Sequence, residues 1–205
     1  MNNMIRKHIY AAIYMLCLIF LGGCNKSLGP VEFSRHINNI PELKSQVKNN
    51  QFVLEAEFKP SEYMALLEFS PDNITSKKFD EIVKQYENST HFTVKFFASD
   101  KASEMLRHNL QGDESYYDRI HYLSTDISSD FSLIQGEDTT PCSLHIYERA
   151  YSIRPFQQVV LVFETEVGDS EDFELIYNGR LSNYDMLRFP YSHKVIQKIP
   201  KLKIT

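Results

Sequence analysis

The chain has no tryptophan and only three cysteines in 205 residues. Sugar-binding platforms often rest rings on exposed aromatics with tryptophan prominent, and that ingredient is missing here. Also missing are the glycine-rich phosphate loops, the GxSxG nucleophile elbow, the HExxH zinc pair and any CxxC. The familiar local signatures of nucleotide binding, serine hydrolysis, zinc proteolysis and dithiol redox chemistry are therefore not written in this chain. Positive charge is in deficit, with 22 Lys and Arg against 27 Asp and Glu and a net charge of -5. That balance argues against a nucleic-acid partner. No internal repeat, low-complexity tract or heptad run is visible, which excludes solenoids and coiled coils. The longest apolar stretch, Ile9 to Leu21, runs for thirteen residues, short of the roughly 20 that a membrane-spanning helix needs.

What that stretch does have is a pattern at its ends. Arg6 and Lys7 precede it, and Gly22, Gly23 and Cys24 follow it. A positive start, a short apolar centre and small residues before a cut site describe an export signal. The stretch Leu21-Gly22-Gly23-Cys24 resembles the lipobox of bacterial lipoprotein signal peptides. The resemblance covers residues 1–24. It implies that the Cys24 thiol carries diacylglycerol with palmitate-type chains, that cleavage falls between Gly23 and Cys24, and that Cys24 becomes the N-terminus. Stable attachment takes two acyl chains, each buried methylene contributing about 0.8 kcal/mol, and a diacylglyceryl cysteine supplies both. The expected location is the cell envelope, membrane-anchored on the extracytoplasmic side. The residue after Cys24 is Asn25 and not Asp, which in a Gram-negative host implies the outer membrane.

Cleavage would leave 182 residues with a net charge of -7, enough for one substantial core. Such an acidic chain gains nothing from anionic head groups, so the lipid must do the anchoring. With Cys24 acylated, only Cys142 remains and no internal disulfide forms between ordinary cysteines. Cys142 follows Pro141 at the start of an apolar segment and reads as a small buried hydrophobe. Three parts are expected: a signal peptide at residues 1–23, the lipidated cysteine and a short tether at 24–30, and a single globular domain at 31–205.

Along the domain, "QFVLEAEFKP" alternates Phe52, Leu54, Ala56 and Phe58 with Val53, Glu55 and Glu57, the period of a half-buried strand. "HFTVKFF" repeats the alternation with Phe92, Val94 and Phe96. Between them, "TSKKFDEIVKQYEN" places Phe79, Ile82, Val83 and Tyr86 on one helical stripe. "EYMALLEF" fits a helix or a buried strand, and "ASEMLRHNL" reads as a second short helix. The second half, from "YYDRIHYLSTDI" to "MLRFPYS", reads as short β-rich segments separated by the turn clusters "GEDTTP", "VGDSED" and "NGRLSNYD". The expected fold class is α+β, mainly β. An antiparallel immunoglobulin-like sandwich would occupy the C-terminal half, with one or two helices in the N-terminal half. In architecture alone, this resembles small bacterial surface lipoproteins with a single sandwich behind a short tether.

Candidate chemistry is sparse. No two of the six histidines after Cys24 are spaced for a shared metal. His121 and His145 fall on separate expected strands, without a visible third ligand. No metal and no cofactor is expected. Carboxylates beside glycines in "GEDTT" and "GDSEDF" do not match an EF-hand loop. The richest constellation is "SLHIYERAY". As a strand it sets His145, Tyr147, Arg149 and Tyr151 on one face and Leu144, Ile146, Glu148 and Ala150 on the other. Arg and Tyr are favoured at binding hot spots, so the first row is the candidate binding face; cross-strand pairing on a solvated sheet face is the plainer account. No catalytic residue stands out. The expected function is a lipid-anchored, non-enzymatic binding or assembly module, with an envelope protein or glycan as partner. The alternative is a cell-surface hydrolase with a site dispersed across strands.

Overall fold

The computed structural model describes residues 27–69, 74–110, 114–150 and 153–204. The lipobox and Cys24 lie outside them. In chain order the elements are β1 (Ser27–Leu28), α1 (Pro30–Asn38), β2 (Lys44–Lys48), β3 (Phe52–Lys59), α2 (Ser61–Leu67), α3 (Ser76–Tyr86) and β4 (Thr90–Ala98). They continue with α4 (Tyr116–His121), β5 (Phe131–Gln135), β6 (Asp138–Pro141), β7 (Leu144–Glu148), β8 (Phe156–Phe163), β9 (Phe173–Tyr177), β10 (Leu187–Tyr191), α5 (Lys194–Gln197) and β11 (Lys201–Leu202).

Two antiparallel sheets make the body. One has the order β2-β3-β4-β8-β7, the other β10-β9-β5-β6. The fold is α+β and mainly β, an antiparallel sandwich to which both halves of the chain contribute strands. Its core follows from the alternation in the sequence. The register pairs Phe58 with Phe92, Ala56 with Val94 and Leu54 with Phe96 across β3 and β4, and Phe92 with Leu161 and Val94 with Val159 across β4 and β8. All of these face inward and are buried. From the second sheet, Leu133, Phe173, Leu175, Tyr177, Phe189 and Tyr191 meet them. Rings cross the interface: Phe58 and Phe173 at 5.4 Å between centroids, Phe92 and Tyr191 at 5.5 Å, Phe96 and Tyr177 at 6.0 Å. Each fully buried side chain of this kind stabilises by about 1.5–3 kcal/mol, and well-placed ring pairs add about 0.5–1.5 kcal/mol. The Tyr191 hydroxyl donates to the Ala56 carbonyl at 2.8 Å, so its one polar atom is satisfied inside the apolar layer.

The helices fill the ends. α1 starts on Gly29 with Pro30 in its first turn, where a missing N–H costs nothing, and it buries Phe33 and Ile37. "EYMALLEF" is helical as α2, which begins directly after Pro60. Its partner is α3: the Ser61 hydroxyl donates to the Tyr86 carbonyl at 3.2 Å, and the Tyr86 hydroxyl donates to Glu68. Phe79 is buried and meets the Phe69 ring at 6.2 Å.

Of the residues expected as tether, Ser27 and Leu28 pair in parallel with β11 and Pro30 belongs to α1. Two expectations need correction. "ASEMLRHNL" yields only a single 3-10 turn, Met105–Arg107. "YYDRIHYLSTDI" is helical, not β. Ser115 and Asp118 form a reciprocal capping box at the start of α4, which satisfies two otherwise unpaired N–H groups. The helix then widens to π over Tyr122–Asp126, where Ser124 and Thr125 donate to the carbonyls of Ile120 and His121. Among the described residues, no helix is long and apolar enough to cross a membrane.

Candidate binding surface

β7 stands at one edge of the five-stranded sheet, and its register fixes where each side chain goes. His145 pairs with Leu161 and Tyr147 with Val159, both fully buried residues. His145 and Tyr147 are accordingly half-buried on the inner row. The Tyr147 hydroxyl donates to Gln157 Oε1 at 2.6 Å, and β7 rests on the Tyr122–Asp130 segment beneath it. Arg149 is exposed beyond the strand, and Tyr151 lies outside the described residues. The expected recognition row is thus not one open face, because its two strand residues turn toward the core. Cys142 is half-buried beside the same strand, its thiol donating to the Leu144 carbonyl at 3.2 Å. Burial raises the thiol's pKa, which keeps it protonated and a poor nucleophile.

The open row is the other one. Leu144 and Ile146 are 55% and 54% exposed. They pair with Val162 and Val160 of β8, which are half-buried on the same outer face. Together these four side chains make a continuous apolar strip along the sheet margin. A polar row borders it: Gln158 Nε2 donates to Glu148 Oε2 at 2.7 Å, and Lys95 lies 3.7 Å from Glu55. Lys95 and Arg154 also lie over the Phe156 ring, at 5.4 and 5.7 Å from its centroid. Toward the sheet centre, His91 of β4 pairs with Val162. It is almost fully buried, and the Tyr86 ring packs 5.2 Å from its own. This burial lowers its pKa.

The concave sites carry less chemistry. A cleft of about 500 Å³ lies where α3, the start of β4 and β11 meet. Its hydroxyls are committed to the backbone: Ser61 and Ser89 donate to the Tyr86 carbonyl and Thr90 to that of Thr165. A second cleft, about 420 Å³, is lined by Arg119, Arg180, Glu114 and Asp118. Its charges balance. Arg119 is only 1% exposed, and its guanidinium donates to the carbonyls of Met105 and His108 and to Glu114 while lying 5.1 Å from the Phe52 ring centroid. It fastens the 105–109 loop to α4. Beneath Arg180, the Tyr122 hydroxyl meets Asp130 and the Tyr177 hydroxyl. Desolvation raises both tyrosine pKa values, and Gly179 closes the cluster, since a Cβ there would strike all three side chains. Its two tyrosines are buried, and their hydroxyls are spent on Asp130 and on each other.

The histidines do not assemble a site either. His121 ends α4, 3.6 Å from Asp126 and 3.1 Å from the Thr125 hydroxyl. His193 Nδ1 contacts Asp172 at 2.7 Å, but the Ser192 hydroxyl also donates to Asp172, at 3.2 Å. In a serine nucleophile's triad the hydroxyl must meet the imidazole instead. The backbone N–H and ring of His193 hold the Asp172 carboxyl below its usual range. Among the described residues, no three His, Cys, Asp or Glu side chains are grouped to hold a metal ion.

No protein-family model matches the chain, and no curated protein matches it. One similar solved structure is a crystal structure of a protein of unknown function from Burkholderia pseudomallei, 8% identical, covering 84% of this chain and 94% of its own with a TM-score of 0.38. A similarity of that degree carries no argument about fold or activity.

Proposed function

We propose that this chain is a lipid-anchored envelope protein, held by acylated Cys24 on the extracytoplasmic side of a membrane, whose domain is a non-enzymatic module that docks a protein partner. In a Gram-negative host that membrane is the outer one. The observation that carries the docking role is the apolar strip of Leu144, Ile146, Val160 and Val162 on an edge strand. Monomeric proteins rarely leave contiguous apolar surface at a sheet margin, and where they do it commonly marks a contact site. A polar border beside an apolar centre is also the ordinary anatomy of a protein interface. The anchor rests on Leu21-Gly22-Gly23-Cys24 behind Arg6-Lys7.

Two measurements test the two parts. Intact mass of the membrane form is expected to show Cys24 as the first residue, bearing acyl mass, and an unmodified cysteine there defeats the anchor. A photo-crosslinking amino acid placed in turn at Leu144, Ile146, Gln46 and Lys48 is expected to trap the same envelope protein from the first two positions only. The same product from all four positions, or none from β7, defeats the docking face.

A further inference from the structure

Ser27 and Leu28 are held by pairing with Lys201 and Leu202, and the Lys203 N–H donates to the Leu28 carbonyl at 2.8 Å. Only Asn25 and Lys26 separate Cys24 from Ser27, three residue steps with a reach of about 10 Å at full extension. The surface next to β1 therefore sits at the bilayer. That surface is not neutral. Pro30, three residues beyond Ser27, opens a groove of about 410 Å³ between α1 and α2, walled by Val31, Leu66, Leu67, Phe69 and Ile74. Val31 and Leu67 are 60% and 59% exposed. Arg35, exposed on α1, lines the same groove; an arginine so placed can lay its stem on apolar surface and its head among lipid phosphates.

We infer that this groove is the membrane-facing surface of the domain, and that its occupant is the acyl and glycerol region of the bilayer into which the Cys24 lipid inserts. The inference rests on the anchor proposed above. Amphipathic surfaces of this kind settle about 5–10 Å into the head-group boundary, a depth the short tether permits. Seating the groove would fix the domain's tilt on the membrane, which two acyl chains at one point of attachment cannot do.

The chain's lack of tryptophan provides the test. Leu67→Trp and Val31→Trp each create a single fluorophore in the groove, and Ile153→Trp creates a reference at a residue 85% exposed just ahead of β8, at the end of that strand opposite the one nearest α2. The mature, acylated full-length variants are reconstituted in phosphatidylcholine vesicles with and without bromine on the host acyl chains. Intact mass verifies the acyl group first, so a missing lipid reports against the anchor and not against the groove. The expected result is a blue shift and loss of most emission at positions 67 and 31 with brominated lipid, and little change at 153. Quenching no greater at 67 and 31 than at 153 overturns the inference. A blue shift without bromine quenching overturns it too, since the groove would then hold the protein's own lipid or another part of the chain.

Discussion

The two edges of the five-stranded sheet are treated in opposite ways. On the outer row of β2 stand Lys44, Gln46 and Lys48, all exposed. Lys44 lies 3.9 Å from Glu57 and donates to the Asn38 carbonyl, while Lys101 donates to Gln46. Lysines on an edge strand discourage a further strand or apolar partner from settling there. On the outer row of β7 stand Leu144, Ile146 and Glu148, with neither lysine nor proline within the strand. One sheet thus has a guarded margin and an unguarded one. The difference is local sequence, because both strands flank the same buried β3-β4-β8 centre.

The strongest way to break this comparison is to remove what both edges share. Phe92 is fully buried and its ring meets those of Phe58, Phe163, Phe173 and Tyr191. Phe92→Ala is expected to cost about 3–5 kcal/mol in urea unfolding, with one transition for the whole domain. A midpoint shift confined to one part of the molecule would mean the edges do not share a core. Next comes exchange of the edges. Ile146→Lys should lower partner affinity by about 2 kcal/mol or more if Ile146 is a central contact, while stability shifts by no more than about 0.5 kcal/mol. Gln46→Ile on β2 should gain no capture. Equal affinity in wild type and Ile146→Lys removes β7 as the docking face.

A smaller effect belongs to His91, which stands beside Val162 on the same face of the sheet. Burial depresses the His91 pKa, so the unfolded chain takes up its proton first as pH falls. Stability is then complete above the unfolded value of about 6.5 and declines below it, by at most about 1.4 kcal/mol per pH unit, until the folded value is passed. Melting temperatures between pH 7.5 and 5.5 are expected to fall more for wild type than for His91→Gln. Parallel slopes would mean that His91 accepts its proton in place. The smallest effect is at the rim. Lys95→Ala should cost less than about 1 kcal/mol in stability or capture, and less still at high salt.

Much of the sandwich was legible because the inward rows of β3 and β4 are apolar at every second residue, although Val53, Glu57, His91 and Thr93 between them are buried as well. The alternations in β3 and β4 need no distant information, and neither does the stripe of Phe79, Ile82, Val83 and Tyr86. The segment 116–130 misled because its tyrosines, isoleucines and threonine suit strands. What decides it is a capping box at Ser115 and Asp118, a signal present in the sequence, and hydroxyl-to-carbonyl bonds one turn back. The candidate surface was half legible. Alternation separates His145 and Tyr147 from Leu144 and Ile146, but both rows are mixed in polarity, so β7 alone does not say which turns inward. The register with Val159 and Leu161 says it. Arg119 left no local trace, since its burial depends on carbonyls ten and more residues away.

The parallel pairing of β1 with β11 gives the domain a single pole at which the chain both enters and leaves. Everything between Leu28 and Lys203 is an excursion from that pole and back. A pull on the chain ahead of Ser27 is therefore resisted first by a ladder two residues long, and then by the Gly29–Phe33 turn that opens α1. Mechanically the molecule is a loop closed by a short clasp, and behind the clasp α1 is held independently, because Phe33 and Ile37 are buried in the same core as the sandwich.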